Sequence, residues 1–305
     1  MIFNAIRPVD LRLRRFSEMK TGVCKAAIIG LILAAAGCAT VPYEPTSVTD
    51  YPGRYPQAGN HPQVARGRPS RVLDASDWYW PGSLLGKLLL WNGKVDSHQI
   101  SEETIQAAIV FCQRHDLGDT MIRVNAYSVA DEWRRTFAND NIGPIWRYPL
   151  GFLAWLQYTA LPGRFFGGDN YNPYSNTINL YSDLAPIALH EAGHAQDFAR
   201  RKDKGLYAFL YMVPFVNLYH EAVASSTALS YVETYESVAQ QKQAYHLLYP
   251  AYGTYLGGNL GEYVFTAAYY PVYLGSVAAG HVAGRIRAAS LSEGIAAEDT
   301  SGRRD

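Results

Sequence analysis

Ile187-Ala188-Leu189-His190-Glu191-Ala192-Gly193-His194 decides how the rest of the chain is read. On a helix, positions i and i+4 share a face one turn apart. Both imidazoles can therefore reach one metal ion. Glu191 can then point at a water on that ion, whose pKa falls to roughly 7 when the ion is zinc. The glutamate can take that proton and pass it on. The context agrees. Asn176 to Tyr181 alternates polar and apolar residues and predicts a strand. Ser182 and Asp183 suit an N-cap, and Pro186 suits a first helical turn. The bland alternative is a surface helix that happens to carry two histidines and a glutamate.

His190, Glu191 and His194 form an H-E-x-x-H pattern. On these residues the chain resembles the zincin metallopeptidases, and more narrowly the gluzincins. The resemblance runs from about Asn172 to Tyr235 and departs from the family at Gln196, where an apolar residue is usual. It implies a mostly helical α+β domain with a small sheet beside the motif helix. It also implies Zn²⁺ as cofactor and a third ligand from a second helix. Glu221, opening a segment rich in Ala, Ser and Leu, fits that place. The related enzymes put an aspartate four residues further on to hold a histidine N–H; here the residue is Ser225. Asp197 could orient His194 instead, or pair with Arg200 or Arg201 at the helix end. The metzincin arrangement is excluded, because Asp197 and Arg200 occupy its Gly and third His positions. By the same resemblance, an exposed sheet edge at Asn176 to Tyr181, or its hairpin partner, would receive a peptide as an added strand.

Other ligand candidates are His220, Glu233, Glu236, His246 and Glu262, each with a surface or core role as the plainer reading. A donor for the developing oxyanion is also expected. His220, Tyr231 and Tyr235 are nearest in sequence among a chain with 23 Tyr.

The N-terminus carries a second signal. Lys20 and Lys25 precede an apolar run, Ala26 to Ala36, that ends in Gly37-Cys38. This is the order of a secretory signal peptide, and the run is too short to span a bilayer. It resembles a bacterial lipobox, which implies acylation of Cys38 and a membrane anchor there. By resemblance to enterobacterial lipoproteins, Ala39 after the cysteine in place of Asp implies the outer membrane, facing the periplasm. Asp10 and Glu18 are unusual in such a leader, and Met19 would make a conventional start in place of Met1. Of the 3 Cys, Cys112 alone would remain, in an apolar stretch that predicts a core thiol.

Four segments follow from composition: a leader over 1–37, a Pro-rich tether over 38–71, a catalytic domain over 72–289 and a polar, disordered tail over 290–305. Ser101 to Arg114 predicts a helix capped by Ser101, Met121 to Tyr127 a strand, Asp131 to Phe137 a short helix, and Gly163 to Tyr181 a hairpin. The apolar runs 143–161, 206–218 and 263–279 predict core helices, with a lipid-facing surface as the alternative. Gly275, Gly280 and Gly284 form a small-residue stripe that predicts close packing on another helix. Net charge is zero, with 27 basic and 27 acidic residues and no basic block, so nothing points to nucleic acid.

The expected function is a zinc metallopeptidase of the cell envelope acting on a peptide or protein substrate. His190, His194 and Glu221 would bind zinc, with Glu191 as general base. Two alternatives stand beside it. One is a zinc hydrolase of a non-peptide or cell-wall amide bond. The other is a non-catalytic envelope lipoprotein with a structural zinc site.

Overall fold

A computed structural model of the chain describes residues 61–67, 72, 74–75, 81–126, 128–160, 168–261 and 266–301. Cys38, the leader, most of the tether and Glu262 lie outside these residues. The fold is α+β and mostly helical, with a four-stranded mixed sheet.

The strands are β1 (Val64–Arg66), β2 (Met121–Val124), β3 (Asn170–Asn172) and β4 (Thr177–Leu180), in the order β1-β2-β4-β3. β1, β2 and β4 run parallel, with Ile122 opposite both Val64 and Ile178. β3 is antiparallel to β4, pairing Tyr171 with Ile178. The expected hairpin is present, turning through Pro173 to Asn176. Its second strand is not an edge. β4 lies inside the sheet, so β3 is the edge strand of this hairpin, with β1 at the opposite edge.

β1 corrects the domain boundary. It lies within the segment read as a tether, and Gln63 anchors it by donating to the carbonyls of Leu117 (2.7 Å) and Thr120 (3.0 Å). The folded unit therefore begins at or before His61. Prolines on either side of a three-residue strand disguise it, because composition cannot report parallel pairing with a partner nearly 60 residues away.

The helices are α1 (Pro81–Leu90), α2 (Glu102–Arg114), α3 (Val129–Ala138), α4 (Pro144–Trp155, continued as a π-turn to Ala160), α5 (Ala185–Ala199), α6 (Lys204–Leu210), α7 (Val216–Tyr235), α8 (Val238–Gly261) and α9 (Thr266–Ser301). α2 starts as predicted, with the Ser101 hydroxyl accepting from the Thr104 N–H. Its buried Ile105, Ala108, Ile109 and Cys112 recur at helical spacing. They join Ile122, Ile178, Leu180 and Leu189 in the main core, where each large aliphatic side chain contributes about 1.5–3 kcal/mol by burial. Cys112 is a core thiol whose pKa burial pushes up to about 12.

The motif helix α5 is central. Twelve of its fifteen residues are buried, so it is enclosed rather than laid on the surface. It packs on α2, α7 and the β3–β4 hairpin. Its N-cap is Leu184, not Ser182 or Asp183. Asp183 instead accepts from the Ser101 N–H (2.9 Å), the Ser101 hydroxyl (2.5 Å) and the Thr104 hydroxyl (2.9 Å). It therefore staples the start of α2 to the entrance of α5.

α8 and α9 form a long antiparallel pair. Gly280 and Gly284 sit so close to α8 that a Cβ would meet the carbonyl oxygens of Tyr249 and Tyr245 at 2.5 and 2.4 Å. The small-residue stripe thus packs within the chain at these two positions, while Gly275 has open space. Among the described residues no helix is long and apolar enough to cross a membrane. α9 runs on to Ser301, so the polar segment from Ser290 continues the helix rather than starting a disordered tail.

Candidate metal centre

Two helices supply the ligands. His190 and His194 lie one turn apart on α5, and Glu221 lies in the second turn of α7. The crossing is close because Gly193 has no side chain: a Cβ there would meet the Ala224 carbonyl oxygen at 2.9 Å and its Cα at 3.2 Å. Ala224 is one turn beyond Glu221, so the glycine inside the motif sets how near Glu221 comes to the histidines.

The three ligand atoms form a compact triangle. His190 Nε2 is 3.1 Å from Glu221 Oε2 and 3.2 Å from His194 Nε2, and His194 Nε2 is 3.4 Å from Glu221 Oε2. Ligand atoms bonded at about 2.0–2.1 Å to one tetrahedral ion stand about 3.3 Å apart. The donor set, two imidazole nitrogens and one carboxylate oxygen, suits zinc. Among the described residues these three form the group able to hold a metal ion, and no fourth His, Cys, Asp or Glu joins it.

The electrostatics are those of a buried, mutually charged cluster. Burial alone would push Glu221 up, but His194 and His190 outweigh it and hold the carboxyl well below the usual range. Burial pushes Glu191 up to about 8, with the charges of Glu221 and Asp169 adding to it. His194 and the Tyr171 backbone N–H oppose that rise. This last contact joins the β3 edge to the carboxyl beside the metal ligands. Burial lowers His190, whereas His194, buried but next to Glu221, rises to about 8. A dication in the triangle would favour the ionised form of Glu191.

The two supporting residues expected from the sequence part ways. Ser225 Oγ lies 3.2 Å from His190 Nδ1, where it can accept that N–H and leave Nε2 free for the ion. Asp197 does not orient His194. Its carboxylate is taken by the Arg201 guanidinium and the Tyr207 hydroxyl. His194 Nδ1 is buried with no hydrogen-bond partner among the described residues.

The remaining candidates are placed elsewhere. His220 is buried, stacked on Tyr207 at 4.5 Å and edge-on to Tyr211 at 3.9 Å, and its pKa is lowered to about 4 by burial. Tyr231 and Tyr235 lie about 15 and 21 Å further along α7, at 1.5 Å per residue. There they pack around Arg114 and Phe111. Glu233 accepts from the Tyr245 hydroxyl. Glu236 caps the end of α7, and His246 sits on α8.

A cleft of about 260 Å³ opens beside His190 and Glu191. Leu85, Leu89, Ile187 and Leu248 give it apolar walls, and Asp96 and Asp169 stand at its rim. Asp169 is fully engaged, accepting from the N–H groups of Tyr181 (2.7 Å) and Ser182 (3.0 Å) and from the Ser182 hydroxyl (2.5 Å). The residue that sequence reasoning missed is Tyr255 of α8, which lines the cleft with Glu191. The negative charge of Glu221, then burial, then Glu191 hold its hydroxyl well above the usual tyrosine range. Tyr158 feels the same two carboxylates more weakly than it feels burial. No local signal marks Tyr255, which lies 34 residues beyond Glu221 on another helix.

The chain matches no protein-family model, no curated protein and no solved structure.

Proposed function

We propose that the protein is a zinc-dependent metallopeptidase of zincin type, exported to the bacterial cell envelope and anchored at Cys38. The observation that carries this reading is the triangle of His190, His194 and Glu221 with Glu191 beside it. Zinc held there would supply Lewis acidity, lowering the pKa of a water and polarising a carbonyl. Glu191 takes the proton from the attacking water and delivers it to the departing amine. Ser225 fixes the tautomer of His190. Tyr255 donates its hydroxyl to the carbonyl oxygen as negative charge develops on it. The apolar cleft walls exclude water and seat the substrate side chain.

Two further features support the reading. The antiparallel edge strand β3 runs beside α5, with its Tyr171 N–H at Glu191, where an extended peptide could add to the sheet. Three protein ligands leave a fourth position open, which favours catalysis over a closed structural site.

The test is elemental analysis together with a peptidase assay on the purified protein. Wild type is expected to hold one zinc and cleave peptides. Glu221→Ala should lose most of the metal, and Glu191→Gln should keep it and lose activity. A well-folded wild type that binds no zinc would sink the proposal.

A further inference from the structure

Helix α1 is inverted relative to an ordinary surface helix. Leu84 and Leu85 are each 48% exposed and Leu88 is 62% exposed. Trp91, just past its end, is 68% exposed. Leu84 and Leu88 lie one turn apart and share a face with Leu85 beside them, while Trp91, past the helix end at φ 52, stacks on His281 at 4.0 Å. The only charged residue of the helix, Lys87, points the other way and is 7% exposed. Its ammonium lies 2.5 Å from Ser83 Oγ and 3.2 Å from the Asp96 carbonyl oxygen. The charge is thus held inward on polar partners while contiguous aliphatic groups are left wetted on the outside. A face that meets apolar material removes that cost.

We propose that the outer face of α1 lies in a lipid surface. Its composition fits the boundary between headgroups and acyl chains. The leucines are followed by Trp91, 68% exposed although one side of its ring stacks on His281, and are preceded in sequence by Trp78-Tyr79-Trp80, the aromatic flanking typical of that zone. Ten residues make a helix of about 15 Å, half the roughly 30 Å of a hydrocarbon core, so it lies on a bilayer rather than across it. The acylation-type Cys38 precedes His61, where the described fold begins, by 23 residues. A random coil of 23 residues would span about 25–30 Å, which would keep α1 within reach of a surface that held the chain at Cys38. Leu85 belongs both to this face and to the wall of the cleft at His190 and Glu191. Seating α1 on lipid therefore turns the cleft opening toward the membrane surface. The inference rests on the proposed anchoring at Cys38 and not on the metal chemistry.

The test uses the mature chain acylated at Cys38, in which Cys24 has left with the leader and Cys112 is buried, reconstituted in phosphatidylethanolamine–phosphatidylglycerol vesicles that carry spin-labelled quencher lipids. An environment-sensitive fluorophore is placed by Leu88→Cys. Arg134→Cys on α3, whose side chain is 75% exposed, serves as control. The expected result is a blue-shifted emission at position 88, quenched by the labelled lipids about threefold or more above position 134. Equal quenching at the two positions overturns the proposal. So does a blue shift at position 88 that follows protein concentration without lipid quenching, because it assigns the face to a second copy of the chain.

Discussion

Ser225 Oγ stands 3.2 Å from Nδ1 of His190, while the opposite nitrogen of the same ring faces Glu221 at 3.1 Å. The hydroxyl fixes which nitrogen carries the proton, and so which lone pair is free for a metal. Ser225→Ala should weaken zinc binding by about tenfold, the low end for loss of a partner that orients a ligand. Competition against a chromophoric chelator measures it. An unchanged affinity would mean that the hydroxyl plays no part in holding the ring.

Gly193→Ala tests the helix crossing. The added methyl gains about 1 kcal/mol of helix propensity and costs about 1–3 kcal/mol of overpacking against Ala224. Stability should therefore stay within about 2 kcal/mol of wild type. The metal site should respond more strongly, because pushing α7 outward carries Glu221 away from the histidines. Zinc affinity is expected to fall about tenfold or more, since such sites tolerate errors of about 0.2 Å. Thermal unfolding of the metal-free protein and chelator competition separate the two effects.

Tyr255→Phe should leave zinc content and fold unchanged and lower kcat by about 10²- to 10³-fold, as removal of an oxyanion donor does. KM should change little. A variant with wild-type kcat would remove Tyr255 from the chemistry.

Asp183 links pH to stability far from the metal. Burial would raise its pKa, but Lys94 at 2.8 Å and the Ser101 and Thr104 donors outweigh it and hold the carboxyl well below the usual range. A depressed folded-state pKa means that the ionised carboxylate stabilises the fold. Its contribution is complete above the unfolded value of about 3.9 and disappears as pH falls through the folded one. Asp183→Asn should cost about 2 kcal/mol at pH 6, and the gap from wild type should shrink below about pH 4. Denaturant unfolding at a series of pH values would show it. A gap that stays constant down to pH 2 contradicts the assignment.

What the sequence disclosed follows from the range over which its signals act. The α5 histidines share a face by helical period alone, and Ser101 announces α2 through a cap three residues long. Glu221 was legible as an acid opening a small-residue helix. Arg201 was legible as a partner of Asp197, since the two are four residues apart, but the Tyr207 hydroxyl on the same carboxylate and the partners of Asp183 were not, because those bonds reach other elements of the fold. Tyr231 and Tyr235 are near Glu221 in sequence, but the rise of α7 carries them away from the site. Tyr255 comes to Glu191 through packing of α8, and β1 pairs with β2 from inside a proline-rich run.

The near-total enclosure of α5 also governs how this chain can diverge. Ala192, Gly193 and Ala195 are buried between the ligands and their neighbours, and Ala224 faces them from α7. A larger side chain at any of these positions has no solvent to escape into. A lineage carrying this centre is free to rewrite its loops and the outer helices, but not the sizes of those residues. A distant relative would be recognised by the run of small residues threaded through its two ligand helices, read together with His190, Glu191, His194 and Glu221, even where overall similarity had faded.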